Sequence, residues 1–282
     1  DMPKIPMDDA ATYELMQRAD TIGVFQVESR AQMATLPRMK PKCFYDVVVE
    51  VAIIRPGPIQ GDMLHPFLAR REGTEKVNFI HPDLQPVLER TLGVPLFQEQ
   101  LLKIAMVMAD FSGSEAEELR RALSFHRSHE RMDKVCAKLR TAMVERGVKE
   151  DVVEQIVKAV QSFAVYGFPE SHAISFALIA YASAWLKVHR AAEFFVGLLN
   201  NQPMGFYSSA TLIQDARRHG VKALPVSVLE SRWECTVEND ATIRLGFCVV
   251  RSFSQEEGER IVRERELRPF ASVEDFQLRT RL

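Results

Sequence analysis

Residues 99–123 read EQLLKIAMVMADFSGSEAEELRRAL. Leu101, Leu102, Ile104, Ala105 and Met108 recur at spacings of three and four, which lines one face of a helix over 99–110. Ser114 followed by Glu117 matches a capping box and predicts a new helix start, running on through Leu123. Two amphipathic helices joined by a short polar break set the expected fold class: mainly α, with short β segments.

The flanking sequence continues the pattern. Pro6 to Arg18 predicts a short helix, capped by Asp8 or Asp9 and apolar at Tyr13 and Met16. Thr21 to Val27 and Val94 to Phe97 read as short β-like runs. Phe44 to Ile54 is strongly apolar and ends at the breaker Arg55-Pro56-Gly57-Pro58. Met132 to Arg146 and Lys149 to Phe163 are amphipathic and flank Gly147. Ser171 to Lys187 reads as a buried helix, with Ser171 or Ser175 available to cap it. Ala191 to Leu199 and Tyr207 to His219 read as further helices. Beyond Val221 the texture shifts to strand and turn, at 223–228 and 233–245 around Asn239-Asp240, before a charged helix over 256–266. Soft boundaries at 205 and 240 divide the chain into a core over 1–205, a linking segment over 206–240 and a final region over 241–282.

Composition narrows the function classes. The 282 residues are 46% apolar and 26% charged, the profile of a globular protein with room for about two domains. Lys plus Arg number 36 and Asp plus Glu 38, for a net charge of −2, so a polycation that coats nucleic acid is excluded but a local basic site is not. Four cysteines stand far apart with no C-x-x-C pair, against a zinc ribbon or disulfide framework, and a reducing cytoplasm fits best. The longest uncharged run, Ala173 to Leu186, falls short of the roughly 20 residues a membrane span needs. The first residue is not Met, no secretory leader pattern opens the chain, and a fragment of a longer protein is expected. Phosphate-loop, dinucleotide, zinc-protease and serine-hydrolase signatures are absent. The carboxylate pairs Asp8-Asp9, Glu238/Asp240 and Glu274-Asp275 read as helix starts or solvated turns, so no metal site is expected.

Four stretches carry candidate chemistry. Between Glu117 and Arg140 stand seven basic residues, Arg127 among them, and four acidic ones, a local charge of +3. Adjacent Arg120 and Arg121 point about 100° apart on a helix and suit a polyanion from neighbouring sides, or form a solvated basic face. Tyr166-Gly167-Phe168-Pro169-Glu170-Ser171-His172 sets aromatics and an imidazole at a helix start, fit for base stacking and sugar or phosphate contact, or for a capped core turn. Arg55 sits on a rigid Pro/Gly loop, and Gln26, Ser29 and Arg30 offer adaptable donors or a helix cap.

Their order is more specific than any one of them. FQVESR (25–30), VAIIRPGPIQGDM (51–63), LFQEQ (96–100), LRRAL (119–123) and YGFPESHA (166–173) together resemble the bacterial C-family DNA polymerases, the family of the DNA polymerase III alpha subunit, over nearly the whole chain. The resemblance is strongest to the error-prone, ImuC-type branch. Replicative members usually carry a basic residue where this chain has Glu170.

The resemblance implies the helical fingers domain followed by the start of a helix-hairpin-helix region. The family's three catalytic aspartates lie in a palm upstream of F-Q-x-E-S, so no catalytic residue is expected here, and Mg2+ is expected on palm residues outside the chain. Arg120 and Arg121 match the pair that grips the incoming dNTP. Tyr166, Gly167, Phe168, Ser171 and His172 match the loop facing the nascent base pair. Gln26, Ser29, Arg30, Arg55 and Arg127 are expected near template or nucleotide. The stretch from Arg244 to Val262 matches the hairpin motif, with Ser252 where such motifs usually carry Gly. The implied function is error-prone DNA synthesis in damage-induced mutagenesis and translesion synthesis, with primer-template, a sliding clamp and ImuA/ImuB-type accessory proteins as partners, and with no activity from this fragment alone. A replicative alpha-subunit fingers domain and a non-enzymatic helical nucleic-acid-binding module are the alternatives.

Overall fold

Asp9 opens the first helix. Its carboxylate accepts from the Thr12 N–H (2.8 Å), and α1 (Ala10–Gln17) buries Tyr13 and Met16 as its apolar spacing requires. The computed structural model describes residues 4–54, 60–124, 129–166 and 168–282. Within them α2 (Arg30–Met39), α3 (Phe44–Ile53), α4 (Gln60–Arg71), the short α5 (Gln85–Leu88), α6 (Gln98–Ala109), α7 (Gly113–Ser124), α8 (His129–Glu145), α9 (Glu150–Tyr166), α10 (Glu170–His189), α11 (Ala191–Asn200) and α12 (Ser209–Arg218) follow in order. Three short strands precede α13 (Gln255–Leu267) and α14 (Val273–Thr280). The mainly helical expectation holds.

The chain forms two compact units. Pro6–Asp20 and Ser29–Tyr181 build one; Thr21–Glu28 and Ala182–Leu282 build most of the other, so the first half of α10 belongs to one and the second half to the other. In the larger unit α6, α7, α8 and α9 pack their stripes into one core, including Leu101, Ile104, Leu119, Leu139, Val153 and Val160. In the smaller unit Phe195, Leu199, Leu212, Ala216 and Ile243 are buried. There β1 (Lys222–Leu224) pairs parallel to β3 (Thr242–Arg244), and β2 (Thr236–Asn239) pairs antiparallel to it with a bulge at Val237/Asn239.

Local expectations fail where a backbone group finds another partner. Residues 21–27 form no strand: the Thr21 hydroxyl donates to the Val27 carbonyl (2.6 Å), and Gly23 and Gln26 take positive φ, which coils the segment on itself. Residues 94–97 form none either, because Gln100 Oε1 accepts from the Leu96 and Phe97 N–H groups (2.8 and 3.0 Å). The capping box on α7 is Ser112 with Glu115, two residues earlier than expected, which releases Glu117 to the helix surface. Neither Ser171 nor Ser175 caps α10, which begins at Glu170; the Ser175 hydroxyl donates back to the Ser171 carbonyl (3.0 Å). The strand expected over 223–228 ends at Leu224, before Pro225.

After β3, a 3-10 turn (Phe247–Val249) and a bend lead into α13, capped by Ser254 with Glu257. Ser252 in that bend has φ 57°. That is the conformation in which glycine carries no steric penalty.

Candidate functional site

The apolar stripe of α7 fixes where its arginines face. Ala116, Leu119, Ala122 and Leu123 are buried, so Glu117, Arg120 and Arg121 share the outer side. Arg120 meets Glu117 through two parallel bonds, Nε to Oε2 and Nη2 to Oε1, both 2.8 Å; Arg121 Nε reaches the same Oε1 at 3.2 Å. The hydrogen bonds from Arg120, and then from Arg121, hold the Glu117 carboxyl down at about 2. Two guanidiniums thus share one carboxylate on an exposed face, with the Arg121 side chain 69% exposed.

The second group lies at the break between α9 and α10. Phe168, His172 and Phe176 pack in sequence as tilted rings, with centroids 5.3 and 4.2 Å apart. His172 is exposed and the two phenyl rings are half-buried. Phe176 was not among the residues expected at this site; its i, i+4 spacing from His172 is the signal that would have found it. Ser171 is exposed on the first turn of α10.

The loop is anchored on the N-terminus of α6. The Gln98 N–H donates to the Phe168 carbonyl (3.1 Å), and the Glu170 N–H donates to Glu99 Oε2 (2.9 Å). The Tyr45 hydroxyl donates to Glu170 Oε1 (3.0 Å) while the Arg90 guanidinium lies 3.6 Å over the Tyr45 ring and 3.9 Å from the same carboxylate. Burial and the neighbouring Glu170 charge push the Tyr45 phenol up, so it stays a donor at neutral pH. The LFQEQ segment is therefore a positioning element. Gln98 and Glu99 hold the loop, and Gln100 ties residues 96–97 to Thr91. Helix α6 also packs against α7, linking the aromatic group to the helix with the arginine pair.

The other expected residues fare differently. Ser29 forms a capping box with Gln32, so its hydroxyl serves α2, and Arg30 is exposed beside it. Gln26 belongs to the smaller unit, in the coiled 21–28 segment. Arg55, Arg127 and Gly167 lie outside the described residues; the Tyr166 backbone ends α9, and its side chain is likewise outside them.

A family model for the bacterial DNA polymerase III alpha subunit finger domain matches residues 1–147. The chain belongs to that finger-domain family. A helix-hairpin-helix model matches residues 220–282 of this fingers chain, the part containing the Ser252 bend. It is 51% identical over 282 residues to an error-prone DNA polymerase of Pseudomonas aeruginosa, covering 99% of this chain and 27% of that protein. It is also 51% identical over 286 residues to error-prone DNA polymerase 1 of Agrobacterium fabrum, covering 98% and 26%. A third relative, the error-prone DNA polymerase of Dechloromonas aromatica, is 51% identical over 100% of this chain and 28% of its own length. The fingers chain thus spans about a quarter of the length of the curated relatives it matches.

The carboxylates around the fingers groups do not fit a divalent ion. Glu117 is held by two guanidiniums, Glu99 by a backbone N–H, and Glu170 by Tyr45 and Arg90. Among the described residues these three glutamates form no candidate ligand cluster with other His, Cys or carboxylate groups.

Proposed function

We propose that this chain is the dNTP-gripping and template-facing fingers of an error-prone, DNA-directed DNA polymerase. The reading rests on one observation above all, the paired guanidiniums of Arg120 and Arg121 sharing the single carboxylate of Glu117 on an exposed helix face. In polymerisation the primer 3′-hydroxyl attacks the α-phosphate of a dNTP and pyrophosphate leaves. That transfer needs positioning and charge neutralisation more than covalent help. The triphosphate displaces Glu117 as the acceptor: each fork exchanges one carboxylate for phosphate oxygens, and the pair gains a second negative partner. His172 and the rings of Phe168 and Phe176 face the nascent base pair and its sugar, and Tyr166, Gly167 and Ser171 share that role. Gln26, Ser29, Arg30, Arg55 and Arg127 contribute weaker contacts to template or nucleotide.

Mg2+ belongs to palm carboxylates outside this chain, and residues 1–282 alone are inactive. The primer-template, a sliding clamp and ImuA/ImuB-type accessory proteins are the partners, and the cytoplasm is the setting. Among the described residues no helix is long and apolar enough to cross a membrane. The names of the relatives and the carboxylate at position 170 support damage-tolerant over replicative synthesis.

The test is primer extension by the complete polymerase on damaged and undamaged templates, beside an Arg120→Ala/Arg121→Ala variant. The parent is expected to cross lesions, and the variant to show at least a tenfold rise in dNTP KM or fall in kcat, about 1.4 kcal/mol or more of lost transition-state stabilisation. Unchanged kinetics in the variant refute the clamp. Extension by the parent on undamaged template alone refutes the error-prone assignment.

A further inference from the structure

Two of the four cysteines stand together in the smaller unit. Cys235 is buried at the entry to β2, and Cys248 is partly exposed in the turn after β3. The two thiols are near enough to shift one another's ionisation. The segments that carry them lie backbone against backbone. The Phe247 and Cys248 N–H groups donate to the Arg232 and Trp233 carbonyls (both 2.9 Å), and the Gly246 N–H donates to Cys235 Sγ (3.3 Å). The approach is tight enough that a Cβ on Gly246 would collide with the Glu234 backbone. Asn200 on α11 clamps both: its Oδ1 accepts from the Cys235 N–H (2.7 Å) and lies 3.8 Å from Cys248 Sγ, and its Nδ2 donates to the Cys235 carbonyl (3.0 Å).

The geometry points to Cys235 and Cys248 as a reversible dithiol–disulfide site whose oxidant is a peroxide. The paired backbone segments and the shared Asn200 side chain hold the two cysteines beside one another, where their sulfurs can close to the roughly 2.05 Å of a disulfide. The two thiols are also unlike, as the chemistry requires. The neighbouring Cys235 draws the Cys248 thiol down to about 7, while Cys248 and burial push Cys235 up. Cys248, the more acidic of the two and partly exposed, is the attacking sulfur. Its thiolate displaces one oxygen of hydrogen peroxide: the S–O bond forms, the O–O bond breaks, the sulfur becomes sulfenic acid and, with one proton taken up, one water leaves. Cys235 then attacks that sulfur, its proton leaves with the hydroxyl as a second water, and the disulfide closes. Two thiols lose two electrons and two protons to one peroxide, and any added dithiol reverses the bond. The link ties β2 to the segment that leads into the Ser252 bend and α13.

The test is a thiol map of the intact folded protein. It is treated with hydrogen peroxide, alkylated before unfolding and digested with trypsin without reductant. Cleavage gives Trp233–Arg244 and Leu245–Arg251, each with one cysteine. The two peptides are expected as one joined species, two hydrogens lighter than their sum, separated by dithiothreitol. Cys235→Ser is expected to leave a sulfenic acid on Cys248 that dimedone traps, and Cys248→Ser to leave Cys235 reduced. Separate recovery of the two wild-type peptides after peroxide, with each cysteine alkylated or oxidised alone, overturns the inference whatever the variants do.

Discussion

Lys187 offers the sharpest test of how the smaller unit is held together. It ends the long uncharged stretch of α10, and its ammonium has no exposure at all. Nζ lies 2.9 Å from Asp215 Oδ2 on α12, itself 3% exposed, and donates to the Ile22 carbonyl at 3.0 Å. At that separation, with an effective dielectric near 20, the pair attracts by roughly 6 kcal/mol, most of which offsets the desolvation of two charges. Lys187→Met keeps the length and apolar stem but removes the ammonium beside the Asp215 carboxylate, leaving His219 Nδ1 at 3.8 Å, and takes the donor from the Ile22 carbonyl. Removing one side of a buried pair costs about 3–5 kcal/mol, against a total of about 5–15 kcal/mol for a typical domain. With a urea dependence of about 2 kcal/mol per molar, the midpoint falls by about 2 M. Both tryptophans of the chain, Trp185 and Trp233, sit in this unit, so their fluorescence follows its unfolding in the 282-residue chain. A double variant, Lys187→Met with Asp215→Leu, removes the stranded charge and is expected to regain at least half of the loss. A single variant that loses less than about 1 kcal/mol, or a double variant no more stable than the single, refutes the reasoning.

Three further outcomes follow from local geometry. Glu117→Gln weakens the tether on Arg120 and Arg121, so steady-state kinetics of the complete polymerase should show a lower dNTP KM; a raised KM would mean Glu117 orients the arginines rather than competing for them. Glu50 on α3 is fully buried with neither carboxyl oxygen hydrogen-bonded, and burial pushes it up to about 8 from 4.5. The folded state therefore holds its proton more tightly than the unfolded chain does. That contribution is complete below about pH 4.5 and is lost as pH climbs to about 8, a change of order a few kcal/mol. Urea midpoints of Glu50→Gln between pH 5 and 8 should decline less than those of the parent, and parallel curves would sink the idea. Ser252→Gly relieves a left-handed backbone at φ 57° and is expected to stabilise by about 0.5–1 kcal/mol, read as a rise in Tm; a fall in Tm would show that the serine side chain earns its place there.

What sequence determined here is what a helix decides locally. The stripe at Leu101, Ile104, Ala105 and Met108 and the one at Leu119 and Leu123 are short-range patterns, and both faces are buried in the larger unit. The order of five motifs carried the family, and the finger-domain match agrees with it. The Asn239-Asp240 turn signal likewise met a real hairpin between β2 and β3. Tertiary structure decided where competing partners existed. Whether 21–27 and 94–97 become strands depends on finding a neighbour to pair with; in the first the Thr21 hydroxyl donates to the Val27 carbonyl and closes a coil, and in the second the Leu96 and Phe97 N–H groups donate to Gln100. The α7 cap moved to Ser112 because two serines and two glutamates offer the same spacing in two frames, and that choice placed Glu117 between the arginines. Glu170 reads in sequence as a bare charge beside an aromatic loop, and only the fold brings Tyr45, 125 residues away, to its carboxylate. The Lys187–Asp215 pair and the Cys235–Cys248 contact are of the same kind. Hydrogen bonds and ion pairs form through space at about 3 Å, whereas periodicity along the chain reports only which face is apolar.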